Sequence, residues 1–179
     1  MIVELSGLAG VGKLTIGRAL APMIDARLLD NHTIYNPAFA TTEFRSPEFY
    51  DTVRAVRTVA FDRAAALPRD VPVILTTAPG ANRAWGEEWQ RAIRALADRR
   101  AARLCAVYLT CAEDEHHRRL VSRERELLRK LTDASALERL RQYQPLLDHA
   151  NAVLELDVGG LKPDTAARAI ADWLDRLAT

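Results

Sequence analysis

Residues 5–21 read LSGLAGVGKLTIGRALA, and the reading of that stretch decides the fold. Gly7, Gly10, Gly12 and Lys13 stand between a short apolar run and a pattern of helical period that extends to Ala21. The spacing Gly7-x4-Gly12-Lys13, set between a strand and a helix, is that of a phosphate-binding loop. Glycines let a backbone wrap with its N–H groups turned inward. Together with the N-terminus of the helix, those groups make an anion site. The cradle is expected to comprise Gly7, Leu8, Ala9, Gly10, Val11 and Gly12. Lys13 reaches the β- and γ-phosphates of a triphosphate, and Leu14 and Thr15 begin the helix.

One position departs from the pattern. The hydroxyl residue that normally follows the lysine ligates Mg²⁺ beside the β- and γ-phosphates, and Leu14 has no ligand to offer. Three readings are open. Thr15 takes over the metal through a shifted helix start. Alternatively, Mg²⁺ is held by water, the triphosphate and a carboxylate elsewhere. In the third, transfer is lost while nucleotide binding survives. The second is favoured, because Mg²⁺ keeps several waters and needs only one or two protein carboxylates.

The chain of 179 residues fits one domain, residues 1–179. Its apolar fraction of 49% and charged fraction of 27% are those of a globular protein that needs no disulfide or metal staple. A net charge of +1 gives no global field that would call for nucleic acid or an anionic membrane. Cys105 and Cys111 form no CxxC or zinc-type spacing and are expected to be reduced thiols in a cytoplasmic protein. The start MIVELSG reads as a strand rather than a leader, and no apolar run approaches a membrane span.

Beyond the loop, short apolar runs alternate with periodic ones. Strands are expected at Ile2–Leu5, Arg27–Leu29, Val71–Thr77, Leu104–Leu109 and Val153–Leu156. Helices are expected from Ser46-Pro47 to Leu67, around Trp85–Leu96, through 112–143 and over Pro163–Leu177. NHTIYNPAFATTEFR, from Asn31 to Arg45, reads as irregular and polar. Strands separated by helices predict a parallel sheet with helices on both faces.

With the loop and this element order, the chain resembles the P-loop small-molecule kinases, the group of shikimate kinase, gluconate kinase, chloramphenicol phosphotransferase and nucleoside monophosphate kinases. GVGKLTIGRALA followed by LLDNH is similar to a branch that also carries Leu after the lysine. The resemblance implies a P-loop NTPase three-layer α/β sandwich with strand order 2-3-1-4-5. It also implies an acceptor segment at about 31–67 and an Arg-rich lid at about 118–132.

In an open parallel sheet the ligand lies beyond the C-terminal strand ends, where Asp30 closes the second strand. The resemblance gives Asp30 a role at the acceptor hydroxyl or at the metal's water. A carboxylate there orients the hydroxyl and accepts its proton. His32 is a candidate for the same pocket. Arg45 resembles the arginine that grips an anionic acceptor, and Arg54 and Arg57 lie three apart on a helix, able to bind a carboxylate or phosphate or simply to face solvent. Thr76 and Thr77 end the third strand where no Asp stands, and Pro79-Gly80 is expected to turn at the pocket floor. Among the basic residues after the fourth strand, Arg119, Arg123 and Arg125 are expected over the triphosphate, whereas His116 and His117 read as surface residues. Asp157 and Gly159 are expected to back the adenine.

These residues predict an ATP- and Mg²⁺-dependent phosphotransferase acting on a hydroxyl of a small metabolite or antibiotic. The alternatives are a nucleoside or nucleotide kinase, and a nucleotide-binding module without transfer activity. A nucleic-acid end kinase fits poorly, since no basic-aromatic platform is present. Monomer and homodimer are both compatible with the surface chemistry.

Overall fold

The computed structural model describes residues 1–78, 82–120 and 146–178. Strands and helices alternate in the order β1 (Ile2–Ser6), α1 (Lys13–Met23), β2 (Arg27–Leu29), α2 (Asn31–Thr41), α3 (Pro47–Ala65), β3 (Val73–Thr76), α4 (Arg83–Arg99), β4 (Leu104–Thr110), α5 (Glu113–Leu120), β5 (Ala152–Asp157) and α6 (Pro163–Ala178). The five strands form one parallel sheet in the order β2-β3-β1-β4-β5, the order implied by the resemblance. Central β1 pairs Ile2 with Val73 of β3 and with Leu104 of β4, and β4 in turn pairs Cys105 with Ala152 of β5.

Alternation along the strands sends side chains into two separate apolar layers. Val3, Leu5, Cys105 and Val107 face Ile16 and Leu20 of α1 and Ile170 and Leu174 of α6. Ile2, Val73, Leu75 and Leu104 face Phe49 and Val53 of α3 and Ile93 and Leu96 of α4. Every residue of β1 is buried, as are the four of β3, which explains why the central strands read as largely apolar runs. Burial raises the pKa of the Cys105 thiol, in keeping with its place in the core.

Two helix starts follow from local chemistry. Ser46 Oγ accepts the Phe49 N–H at 3.1 Å, with Pro47 in the first helical position. Asn82 Oδ1 accepts the Trp85 N–H at 3.0 Å. The C-terminal end of α3 is closed from outside. Arg100, 3% exposed, donates to the carbonyls of Ala64, Leu67, Pro68 and Val71, and so gathers the helix end and its loop onto one guanidinium.

The stretch expected to be irregular is corrected by the structure: Asn31–Thr41 is α2, with Pro37 inside it. Its polar, proline-containing composition has low intrinsic helix propensity. Burial of Ile34 and Ala38, four residues apart on one face, packs it into the layer beside Phe49 and Val53.

One carboxylate lies within the apolar layer. Glu4 of β1 is 1% exposed. Thr77 Oγ1 donates to its Oε1 at 2.6 Å, and His149 Nε2 donates to its Oε2 at 2.7 Å. The sequence reading singled out neither Glu4 nor His149. Removing one donor leaves a buried acceptor open. The His149→Ala variant is therefore expected to lose about 1–3 kcal/mol of stability, measured by urea denaturation.

Candidate functional site: a phosphate cradle facing Asp30

The loop between β1 and α1 has the backbone that its glycines allow. Gly7, Gly10 and Gly12 adopt φ of 149°, 96° and 110°, values that L side chains rarely adopt. At Gly7 a Cβ would also stand 2.6 Å from the Leu109 carbonyl oxygen, so the loop lies directly against the end of β4. Gly12 caps α1, which places the positive end of that helix at the loop. Lys13 Nζ donates to the carbonyls of Gly7 and Leu8 at 2.6 and 2.9 Å, bridging the loop from within.

A cleft of about 640 Å³ opens beside the loop. One wall is Ala9–Ile16, including Lys13, Leu14 and Thr15. Asp30, Asn31 and His32 also line it, together with Arg18, Ala78, Glu115, Arg118, Arg119, Val158, Leu161 and Pro163. The two ends of the site expected from sequence, phosphate loop and Asp30, therefore share one cavity. Gly7 and Leu8 shape the loop without lining the cleft.

Asp30 is held in place by β3. Thr76 Oγ1 donates to Asp30 Oδ1 at 2.6 Å and accepts the Asn31 N–H at 2.9 Å. His32 Nδ1 lies 3.0 Å from Asn31 Oδ1 and 3.5 Å from Asp30 Oδ2. Thr76 thus serves as the support of the carboxylate rather than as a separate ligand position.

The donor set suits a nucleoside triphosphate with Mg²⁺. Loop N–H groups, the start of α1 and Lys13 suit phosphate oxygens. Among the described residues no group of three or more His, Cys, Asp or Glu side chains is arranged to hold a metal ion. Mg²⁺ needs only one or two carboxylates when phosphates and water supply the rest, and Asp30 meets that requirement. Thr15 also borders the cleft.

On the lid side, Arg119 reaches the cleft but is already engaged. It donates to the carbonyls of Val11, Val158 and Gly159 at 3.2, 3.0 and 3.3 Å, and to Glu115 at 2.6 Å. That hydrogen bond from Arg119 holds the Glu115 carboxyl below its ordinary range. Arg123 and Arg125, like Pro79 and Gly80, lie outside the described residues. Asp157 accepts the Gly159 N–H at 2.8 Å and so shapes the turn after β5, while the neighbouring Val158 lines the cleft.

His116 is a correction. Expected at the surface, it is 2% exposed, with Nε2 at 2.7 Å from the Ala9 carbonyl oxygen of the loop. The two partners are 107 residues apart in the chain, and no local pattern signals such a contact.

The arginines of the acceptor segment are placed differently from one another. Arg57, expected on a polar helix face, is 9% exposed and stacks over Trp89 and Trp85, 5.1 and 5.6 Å from the ring centres. Its Nη2 donates to Glu88 Oε1 at 2.8 Å, and Arg54 binds the same carboxylate and also Asp51. Trp85 in turn donates its indole N–H to Tyr35 Oη at 2.8 Å; burial raises the pKa of that phenol to about 12. Arg45 stands at φ 67° with its guanidinium 5.0 Å from the Phe44 ring centre, and is not part of the cleft wall.

The AAA domain family model matches residues 2–147. The chain belongs to the AAA domain family. Solved structures with this domain's fold include shikimate kinase from Bacteroides thetaiotaomicron, 17% identical, TM-score 0.64, covering 98% of each chain. Shikimate kinase from Acinetobacter baumannii in complex with shikimate is 22% identical, TM-score 0.60, covering 97% of this chain and 92% of that one. A gluconokinase from Sinorhizobium meliloti is 15% identical, TM-score 0.63, covering 98% and 92%. No curated protein is similar enough in sequence to count as a relative. The fold of this AAA domain is that of P-loop small-molecule kinases, as the loop and element order implied.

Hydrogen bonds from Arg54, aided by Arg57, hold the Glu88 carboxyl at about 2, down from 4.5. A carboxylate with a depressed pKa stabilises the fold above its unfolded value, and the stabilisation is lost as pH falls through the folded one. Glu88→Gln is expected to cost about 1 kcal/mol at neutral pH, partial contact with water limiting the effect. In denaturation measured against pH, the gap between variant and wild type should close between pH 4.5 and about 2.

Proposed function

We propose that this AAA domain is an ATP-dependent phosphotransferase that moves the γ-phosphoryl group to a hydroxyl of a small molecule. The observation that carries the reading is the single cleft with the phosphate loop on one wall and the Thr76-supported Asp30 carboxylate on the other. In this reading the loop N–H groups and Lys13 hold the triphosphate. The acceptor hydroxyl lies between Asp30 and the γ-phosphorus. Its oxygen forms the new bond to phosphorus, the bond from γ-phosphorus to the β,γ-bridging oxygen breaks with its electron pair leaving on ADP, and the hydroxyl proton passes to Asp30. Asp30 is also the protein carboxylate suited to Mg²⁺, which supplies charge neutralisation on the phosphates.

Phosphoryl transfer asks the protein mainly for position and charge. Leu14 then removes one direct metal ligand without removing the rest of the apparatus. Within the acceptor class, small metabolites and antibiotics with a free hydroxyl come first, and nucleosides or nucleotides second. A binding module without transfer is the second reading. It is favoured by Leu14 together with the Thr76 and Thr77 end of β3, where no acid stands.

The test is ADP release with Mg-ATP over a panel of sugars, hydroxy acids, nucleosides, nucleotides and hydroxylated antibiotics. One acceptor class should stimulate release. Lys13→Ala should abolish the stimulation. Asp30→Asn, which keeps an acceptor for the Thr76 hydroxyl, should lower kcat by about 10²–10⁴-fold with a smaller change in nucleotide affinity. Nucleotide binding with no stimulation by any acceptor, and Asp30→Asn indistinguishable from wild type in basal release, would favour the binding module.

A further inference from the structure

A loop that turns its N–H groups toward an anion must turn carbonyls away from it, and each of those carbonyls needs a donor of its own. Nearly all of these carbonyls have one among the described residues. The Gly7 and Leu8 carbonyls accept from Lys13 Nζ, and Leu8 also accepts the Val11 N–H at 3.3 Å. The Gly12 carbonyl accepts the Ile16 N–H at 2.9 Å, which starts α1. The other two donors come from α5. His116 takes the Ala9 carbonyl at 2.7 Å, and Arg119 takes the Val11 carbonyl at 3.2 Å.

Residues 116 and 119 are three apart and so share one face of the helix. Arg119 spreads over three carbonyls and Glu115, and His116, 2% exposed, meets the apex of the loop at short range. Both the neutral Nε2–H tautomer and the imidazolium donate from that nitrogen.

We propose that His116 is a positioning residue for the phosphate loop. Its Nε2–H holds the Ala9 carbonyl out of the cleft and thereby holds the N–H groups of the loop apex toward the phosphates. The proposal rests on the reading of the cleft as a nucleotide site and adds a residue to it that touches no phosphate.

The experiment is ADP binding by titration calorimetry, well below the melting temperature of each variant. His116→Ala should weaken ADP binding about tenfold, the factor that corresponds to loss of about 1.4 kcal/mol. His116→Gln and His116→Met form a pair of similar length, of which only glutamine has an N–H to offer. Gln should keep affinity within about threefold of wild type, and Met should match Ala. If the Ala variant fails to fold, the Gln and Met pair carries the comparison alone. Equal affinity for Gln and Met, or wild-type affinity in the Ala or Met variant, overturns the proposal while the nucleotide reading stands. That reading is checked separately by wild type and Lys13→Ala. Absence of ADP binding by wild type overturns both.

Discussion

The organising constraint is the direction of a few peptide groups between β1 and α1. A backbone wrapped around an anion concentrates N–H groups on one side and leaves its carbonyls on the other, where water or protein must satisfy them. In this chain the protein supplies most of those partners. Lys13 bridges Gly7 and Leu8, α5 reaches Ala9 and Val11, and the close approach of Gly7 to the Leu109 carbonyl seats the whole turn on β4. The shape of the cleft is therefore set as much by α5 and β4 as by the glycines themselves.

The basic residues differ sharply in their surroundings. Lys13, Arg18 and the start of α1 border the cleft. Arg54 and Arg57 are not among the residues that line it and are spent on Glu88 and Asp51, with Arg57 further enclosed by Trp85 and Trp89. A guanidinium already paired with a carboxylate and packed on indole rings is a poor free anion site, because a ligand has to displace the partner that makes its burial tolerable. That pairing bears on the acceptor. The α3 arginines fasten α3 to Glu88 of α4, and among the described residues Asn31, His32 and Ala78 line the cleft with Asp30.

What was legible in the sequence follows the range of the interactions. The phosphate loop could be read because its constraint is local: glycine spacing, a lysine and flanking periodicities all fall within residues 5–21. The buried strands could be read because β1 and β3 are enclosed on both faces and are mostly apolar. Helix α2 could not, because its stability comes from Ile34 and Ala38 meeting α3 rather than from the propensities of Asn, Thr and Pro. His116 and Arg57 escaped for a related reason. A histidine or arginine within a charged run looks solvated until the partner is known, and the partners, Ala9 and Glu88, are 107 and 31 residues away. Glu4 is an acid inside the apolar MIVELS, and only the fold brings Thr77 and His149 to it.

The same reasoning gives Leu14 its meaning. With an aliphatic side chain there, α1 offers one hydroxyl fewer to the cleft, and β3 ends in threonines where an acid would be another natural ligand. The structure answers with a different polar arrangement across β2 and β3. Thr76 has a single hydroxyl proton, and at 2.6 Å it goes to Asp30 Oδ1 rather than to Asn31 Oδ1 at 3.3 Å. The Asn31 N–H then fills a lone pair of the same hydroxyl. Thr76 is thereby committed as donor and acceptor at once, and it holds one oxygen of Asp30. Its other oxygen lies 3.5 Å from the His32 ring. A carboxylate oriented by its neighbours reacts without first losing rotational freedom. Where Leu14 offers the cleft no ligand, Thr76 holds a carboxylate in place, and in the proposed reaction that carboxylate is the one metal and acceptor would share.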